Sequence, residues 1–208
     1  MTCSVFRNAL VFGSAALFFG TFANAAVILS VGSATALADS SGNGIDVQLT
    51  NSGPSALTIA ALAFEVSIAN ANITFTDATT MSTAAPYIFA GDSLFGPDIA
   101  DSVTGQTLSV SDVFDVPSHG ASIAAGMTVD LGRLLFNVSR AAAAGAFPVT
   151  WVQFPDTSLS DAAGNEIDVQ TLAPGQITIG PANPVPEPKT NAFLKTEHVI
   201  EILQSYLC

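Results

Sequence analysis

The chain has 208 residues and a formal net charge of −12 at neutral pH; 49% of its residues are hydrophobic and only 11% are charged. Such an excess of acids repels phosphate groups, which excludes nucleic acid as a partner and argues equally against electrostatic attachment to anionic lipid. The apolar fraction is too high for a disordered chain, and the length fits one domain with flanking segments.

Residues 1–25 have the order of a secretory signal peptide. Arg7 precedes an apolar run, and the small residues Ala23 and Ala25 follow it. Small side chains at this spacing suit a signal peptidase, so we predict cleavage between Ala25 and Ala26. The apolar run is shorter than the about 20 residues that a membrane-spanning helix needs, which favours a removed signal over an anchor. We therefore expect the mature protein outside the cell.

The body of the chain, residues 26–180, alternates short apolar runs with clusters of Gly, Pro, Asn, Asp and Ser. These clusters are typical of turns, because their residues tolerate positive φ or bond their own backbone. Many short strands without long helices between them predict an all-β sandwich or barrel. The predicted strands are Val27–Val31, Ile45–Thr50, Ala61–Ala69, Ile73–Thr76, Tyr87–Ala90, Leu108–Phe114, Val129–Ser139, Pro148–Phe154, Glu166–Val169 and Gln176–Ile179.

Two of these strands, Ala61–Ala69 and Val129–Ser139, show the period of two that places apolar side chains on one face. Because both faces are apolar, we expect them to meet in one core. The alternation slips near Gly132, which predicts a β-bulge. The expected core residues are Leu62, Phe64, Val66, Leu134, Phe136 and Val138.

The chain changes character after residue 180. Residues 181–188 are rich in proline, which favours an extended linker. Residues 189–208 place apolar side chains on one helical face and form a short amphipathic tail. Charged residues, among them Lys195 and Glu197, interrupt the tail, and burying them at bilayer depth is costly. We expect no stable membrane anchor in this chain.

No catalytic constellation is present in the sequence. Neither of the two histidines lies at metal-ligand spacing, and His119 falls in a predicted turn. No serine has the flanking glycines of a nucleophile elbow, and no glycine-rich phosphate loop occurs. The acid pair Asp112 and Asp115 is interpreted as loop and turn acids. The sequence thus predicts neither an enzyme nor a cofactor-binding site.

Calcium is the one cofactor for which the sequence offers oxygen ligands at suitable spacing. The first group, Asp39 and Asn43, matches the opening of an EF-type loop, but the twelfth position of that loop is Thr50, where a bidentate Glu is required. The second group, Asp161, Asn165 and Asp168, has the composition of an ordinary hydrogen-bonded turn. We therefore favour turns over metal sites for both. The candidate ligands are Asp39, Asn43, Asp161, Asn165 and Asp168.

The C-terminal third resembles the closing half of a cohesin domain. The matching text is VDLGRLLFNVSRAAAAGAFPVTW followed by SLSDAAGNEIDVQTLAPGQITI, and a looser resemblance extends over residues 27–180. The resemblance implies a nine-stranded jelly-roll β-sandwich, related to carbohydrate-binding modules, that docks partners without catalysis. No dockerin-contacting residue is carried over, because no motif here aligns with those positions.

A second, short resemblance lies just after the sandwich. Val185, Pro186, Glu187 and Pro188 are similar to the signature of PEP-CTERM proteins. That family is exported by bacteria that make extracellular polysaccharide and is processed by an exosortase, which the resemblance implies as a partner. The family continues with an apolar span and a basic cluster. This chain departs from the pattern, because a charged tail follows Pro188.

Together these features predict a non-enzymatic extracellular binding or matrix protein that engages polysaccharide or a protein module. The alternatives are a structural envelope or biofilm protein without a specific ligand, and a hydrolase without a recognisable motif. An exposed aromatic strip on one sheet face would favour sugar binding. A flat polar face bordered by apolar residues would favour protein docking.

Overall fold

The computed structural model describes residues 26–94, 100–116, 119–152 and 156–181. The predicted signal peptide, the sorting motif and the amphipathic tail lie outside the described residues. The described strands are β1 (Val27–Val31), β2 (Ser33–Leu37), β3 (Ser40–Asn51), β4 (Leu57–Ile59), β5 (Ala61–Ile68), β6 (Ile73–Thr79), β7 (Ala100–Val103), β8 (Thr107–Val113), β9 (Ala121–Ile123), β10 (Thr128–Val138), β11 (Gly145–Val152), β12 (Ser158–Ser160), β13 (Val169–Ala173) and β14 (Gly175–Gly180).

Two large sheets face each other across the core. The first sheet has the order β13-β1-β3-β10-β6, and the second has the order β2-β14-β11-β5-β8-β7, with β12 paired to β5. The short strands β4 and β9 form a separate antiparallel pair. The all-β jelly-roll sandwich predicted from the sequence is confirmed. The strand count is fourteen among the described residues rather than the nine that the resemblance implies.

Part of the higher count arises because two long strands cross from the first sheet to the second. Residues 27–37 form β1 and then β2, and residues 169–180 form β13 and then β14. The two strands run parallel throughout: β1 pairs with β13 in the first sheet, and β2 pairs with β14 in the second. The crossing thereby ties the two sheets together through continuous backbone.

Glycines make this crossing sterically feasible. The amide of Gly32 donates to the carbonyl of Asp46 in the first sheet (2.9 Å), while its carbonyl accepts from the amide of Gln176 in the second (3.2 Å). A Cβ atom on Gly175 would stand 2.3 Å from the Gly32 oxygen and 2.6 Å from Cγ1 of Val31. Since the first contact is backbone, it cannot be relieved by a rotamer change.

We predict that Gly175→Ala destabilises the protein by about 1–3 kcal/mol, the range typical of overpacked sites. The matched control is Gly180→Ala in the same strand, where an added Cβ would meet the flexible end of Leu37 at 3.3 Å and backbone only at 3.8 Å. The control should change stability by about 0.5 kcal/mol or less. Urea denaturation measures both. Equal midpoints for Gly175→Ala and the wild type would contradict the steric account of the crossing.

The predicted core is confirmed. All six residues named from the alternation are between 0% and 3% exposed, and they belong to one apolar cluster between the sheets. The predicted bulge is also present: the pairing of β10 with β3 shifts between Asp130 and Gly132. Gly132 adopts φ 148°, a conformation that side-chain-bearing residues rarely take.

Truncating Phe136 to Ala should lower the free energy of unfolding by about 3–5 kcal/mol, because the side chain is fully buried and leaves a cavity. Its neighbour Leu135 points to the opposite side of β10 and is half-buried. Leu135→Ala should therefore cost less than half as much. Chemical denaturation of both variants measures the difference, and a loss under about 1 kcal/mol for Phe136→Ala would show that the assigned face is wrong.

Some strand predictions were wrong. Tyr87–Ala90 is a turn segment, not a strand, and its apolar side chains close one side of the sandwich. Glu166–Val169 contains only an isolated bridge before β13 begins. The short strands β2, β4, β7, β9 and β12 were not predicted, because they have few large apolar residues or only three residues.

Candidate functional site

The outer side of the second sheet is built from small side chains; we call it the small-residue face. Strand alternation fixes its members, because Leu62, Phe64 and Val66 of β5 point inward and their sequence neighbours point outward. Cross-strand register extends the same side over β8, β11 and β14. The face comprises Ala61, Ala63, Glu65, Ser67, Thr107, Ser109, Ser111, Val113, Ala146, Pro148, Thr150, Val152, Gln176 and Thr178, together with Ser158 and Ser160 of β12.

The small-residue face is nearly uncharged. Its members are mostly Ala, Ser and Thr, none is aromatic, and Glu65 is the one charged residue among them. The Ser109 hydroxyl donates to Oε2 of Glu65 at 2.5 Å, and the hydroxyls of Ser67 and Thr150 lie 3.1 Å apart. The salt bridge found in the described part of the chain joins Arg133 to Asp46. Within the same residues the Glu65 carboxylate therefore has no cationic partner.

Exposed apolar side chains border this face. Leu37, at the β2 edge, is 44% exposed and lies against Gly180. Near the far end of β8, the Leu94 amide donates to the Val113 carbonyl at 2.9 Å, and the Leu94 side chain is 50% exposed. A nearly uncharged face without aromatic side chains, bordered by exposed apolar residues, favours protein docking over sugar binding.

Trp151, the one tryptophan, does not contribute to an exposed platform. Trp151 lies opposite Val66 of β5, on the inward side of the second sheet. Its ring packs edge to face against Phe64, with the ring centroids 5.9 Å apart. The indole N–H donates to the carbonyl of Ala173 at 2.8 Å. This bond joins β11 to β13.

The connection after β6 closes one side of the sandwich and ends beside the small-residue face. Tyr87 and Phe89 are 6% and 1% exposed. The Tyr87 hydroxyl donates to Oδ2 of Asp112 at 2.5 Å, and the Ser93 hydroxyl donates to the same oxygen at 2.6 Å. Burial, and then the hydrogen bond to Asp112, raises the pKa of Tyr87. The phenol therefore remains a neutral donor.

Asp112 is therefore not the loop acid that the sequence suggested. It lies in β8, is fully buried and accepts three hydrogen bonds, the third from the Val113 amide at 2.8 Å. A signal was present in the sequence, because the alternation of Leu108 and Val110 continues to position 112 and places the carboxyl inside. Its role is to hold the connection to the second sheet.

Two further acids hold the same connection to the first sheet. The Asp46 carboxylate accepts hydrogen bonds from Nη1 of Arg133 at 2.8 Å and from the Thr83 hydroxyl at 2.7 Å. Arg133 lies over Gly44, where a Cβ would approach its Nε to 2.2 Å. Gly44 thus leaves the space that the guanidinium occupies.

Asp130 is the third buried acid. Its Oδ2 accepts the Ala85 amide at 2.6 Å, while its Oδ1 is buried without a hydrogen-bond partner in the described part of the chain. Burial raises the pKa of Asp130 above its ordinary value of 3.8; the nearby Asp46 charge adds to this, and the Ala85 amide opposes it. The folded protein therefore holds the Asp130 proton more tightly than the unfolded chain does.

The predicted calcium ligands fall into two different settings. Asp39 is exposed in the β2–β3 turn with φ 63°, whereas Asn43 lies within β3. The Asn43 amide donates to the Ser40 hydroxyl (2.9 Å) and the Phe136 carbonyl (3.3 Å). The EF-type spacing thus runs along an extended strand rather than around a loop.

The second group forms a hydrogen-bonded turn. Asp161 Oδ1 accepts the amides of Ala163 and Asn165, and its Oδ2 accepts the Asn165 side chain, all at 2.9 Å. These bonds, the Asn165 side chain first, lower the pKa of Asp161. Asp168 is exposed and lines a 470 Å³ groove beside β13 together with Glu166.

Within the described residues, no group of three or more His, Cys, Asp or Glu side chains is placed to hold a metal ion. Calcium binding at the five predicted ligands stays a prediction. Of the predicted signal-cleavage pair, Ala26 is described, and its carbonyl accepts the amide and the hydroxyl of Ser52, both at 2.8 Å. No described helix is long and apolar enough to cross a membrane.

Asp130→Asn and Asp161→Asn should change the pH dependence of stability in opposite directions. The raised pKa of Asp130 makes its stabilising contribution largest below 3.8, and that contribution is lost as pH rises through the folded-state pKa. Asp130→Asn should therefore gain stability relative to the wild type as pH rises. The lowered pKa of Asp161 has the opposite sign: its contribution is present above 3.8 and is lost as pH falls.

Urea denaturation of the wild type and both variants from pH 3 to pH 7, about the ordinary carboxyl pKa, measures this dependence. Asp161→Asn should be less stable than the wild type at neutral pH and approach it in acid. Parallel curves for Asp130→Asn and the wild type would mean that the buried carboxyl does not titrate differently on folding.

The fold is that of cohesin domains. A cohesin of scaffoldin B from Acetivibrio cellulolyticus, solved in complex with a Cel5 dockerin, superposes with TM-score 0.56 at 15% identity, covering 74% of this chain and 99% of the other. A type I cohesin–dockerin complex from Clostridium thermocellum gives 0.54 at 14% identity, with coverage of 74% and 99%. A non-cellulosomal cohesin from the archaeon Archaeoglobus fulgidus gives 0.52 at 16% identity, with coverage of 84% and 99%.

No protein-family model and no curated protein matches the chain. At these identities the likeness establishes the cohesin fold of the described domain, and the similarity to cohesins stated from the sequence is confirmed at that level.

Proposed function

We propose that the protein is a non-enzymatic extracellular binding module that docks a protein partner on the small-residue face. The observation that carries this proposal is the face itself: a broad, nearly uncharged outer sheet surface built mostly of Ala, Ser and Thr, with exposed Leu37 and Leu94 at its border. Small side chains let a partner approach the sheet closely, and the apolar border supplies surface to bury.

The kind of partner is proposed from the neighbours. Two of the similar structures are cohesins solved with a dockerin bound. A protein module of the dockerin kind is therefore the partner that we propose for this chain. Glu65 adds a requirement, because a carboxylate near the middle of an otherwise uncharged face favours a partner that brings a cationic or hydrogen-bond-donating side chain to it.

Polysaccharide is the less favoured ligand. Sugar rings stack on exposed aromatic side chains, and the small-residue face has none. A purely structural role in an envelope or biofilm requires no specific ligand. A binding measurement therefore distinguishes that role from docking. The extracellular location rests on the predicted signal peptide, and anchoring through an exosortase rests on Val185–Pro188.

Arginine substitutions on the face test the proposal. Ser111→Arg and Thr150→Arg each place a long cation on the small-residue face, and Thr76→Arg places the same side chain on exposed β6 of the other sheet as the control. Titration calorimetry against a panel of purified dockerin modules should show at least a ten-fold loss of affinity, equal to about 1.4 kcal/mol, for the face variants only.

Thermal unfolding of each variant shows whether the fold is intact before binding is compared. A parallel glycan array separates the alternatives. If polysaccharide binds and no dockerin module does, protein docking is wrong. If the control variant weakens dockerin binding as much as the face variants, the assigned face is wrong.

A further inference from the structure

β2 is an edge strand without the features that normally protect an edge. In the described part of the chain it pairs with β14 alone. Its sequence, Ser-Ala-Thr-Ala-Leu, has neither charge nor proline. The pairing with β14 runs over five residue pairs without a register shift. Such an edge presents a regular row of backbone donors and acceptors that another strand can bind.

The other three edges of the two large sheets are different. Each of β13, β6 and β7 has a shifted register with its neighbour. Each also has an acidic residue within the strand or directly before it: Asp168, Asp77 and Asp101 respectively. Bulges and charges are the devices by which proteins prevent strand addition at an edge. Their absence at β2 alone singles out this edge.

We propose that β2 binds β2 of a second copy of the chain, in antiparallel register centred on Thr35. This inference is independent of the docking partner proposed above. The register places Thr35 opposite Thr35 of the second copy and Ser33 opposite Leu37. Threonine pairs stabilise neighbouring strands, and the small inward residues Ala34 and Ala36 pair without overlap.

A second copy fits this edge better than a partner of unlike chemistry. The net charge of −12 opposes contact between two copies at most places on the surface. β2 and β14 contain no charged residue, so the edge is a place where two copies meet without direct repulsion. Leu37, 44% exposed in the single chain, lies opposite Ser33 of the second copy in this register and keeps its place at the border of the small-residue face.

The symmetry has a consequence for binding. The two-fold axis of an antiparallel strand pair is perpendicular to the sheet, so the second sheets of both copies become one continuous sheet. Both small-residue faces then point to the same side. One five-residue strand pair buries less than the about 1,200 Å² of a standard interface, so we expect association that becomes visible only at high protein concentration.

Charge substitutions at the dyad test the register directly. Thr35→Lys and Thr35→Glu each place two side chains of like charge directly opposite each other, with Cβ atoms about 5 Å apart across the axis, and each should weaken self-association at least ten-fold. An equimolar mixture of the two variants places Lys opposite Glu and should restore association. Sedimentation velocity of the full chain over a range of concentrations measures all three associations, with matched Thr76→Lys and Thr76→Glu variants on exposed positions of β6 as controls.

The expected result is a concentration-dependent dimer for the wild type and the controls, monomers for the single Thr35 variants, and a heterodimer for their mixture. Thr35 is exposed, so its replacement should leave the thermal midpoint unchanged. If a Thr35 variant is destabilised, a mixture of Ser33→Lys and Leu37→Glu, whose positions lie opposite each other in this register, is used instead of the two Thr35 variants. A wild type that stays monomeric at the highest concentration, or a mixture that stays monomeric, overturns the proposal.

Discussion

The close approach of two backbones at Gly32 and Gly175 is the constraint on which the sandwich depends. At this point the chain segments 27–37 and 169–180 pass together from one sheet to the other. A side chain at position 175 would overlap the Gly32 carbonyl, so the crossing requires glycine at position 175. The backbone of Gly32 forms hydrogen bonds to both sheets and so ties them together directly.

The crossing also determines where the small-residue face lies. Gly175 pairs with Val149 of β11, and from there β14 continues beside β11 with its register unbroken. The outward positions of β14, β11, β5 and β8 therefore fall in line across the second sheet. Their small size is compatible with stability because the side chains at the alternate, inward positions supply the buried apolar surface of the core. A sequence with few charges and much Ala, Ser and Thr can thus provide both a full core and a flat outer surface.

How much of this was predictable from the sequence depends on how large the alternating residues are. The period of two in β5 and β10 identified their buried faces, and the slip at Gly132 identified a bulge, because large apolar side chains mark the phase. In β2 the alternating residues are Ser, Ala and Thr, so there is no contrast to detect. Tyr87–Ala90 had the apolar content of a strand, yet tertiary packing placed it in a turn that fills the side of the sandwich.

The buried acids show a different limit of sequence interpretation. Asp112 continues the inward phase of β8, so its burial could have been inferred, but its donors could not. Tyr87 and Ser93 come from a connection that the sequence does not relate to β8. The small-residue face was visible in outline only on β5, where Glu65 and Ser67 oppose the core residues. Assembling it required the order of the strands, which a single sequence does not specify.

Those same acids connect the core to the candidate docking face. Asp46 and Asp130 bind the first half of the connection after β6 to the first sheet, and Asp112 binds its second half to the second sheet. The connection is thereby a polar strap between the two sheets, closing the side opposite the glycine crossing. Leu94 follows directly after Ser93, so the apolar border of the face is positioned by a hydrogen bond to a buried carboxylate. Because a buried acceptor that loses its donors carries the full cost of desolvation, the strap has one favourable position, and the border of the small-residue face is held with it.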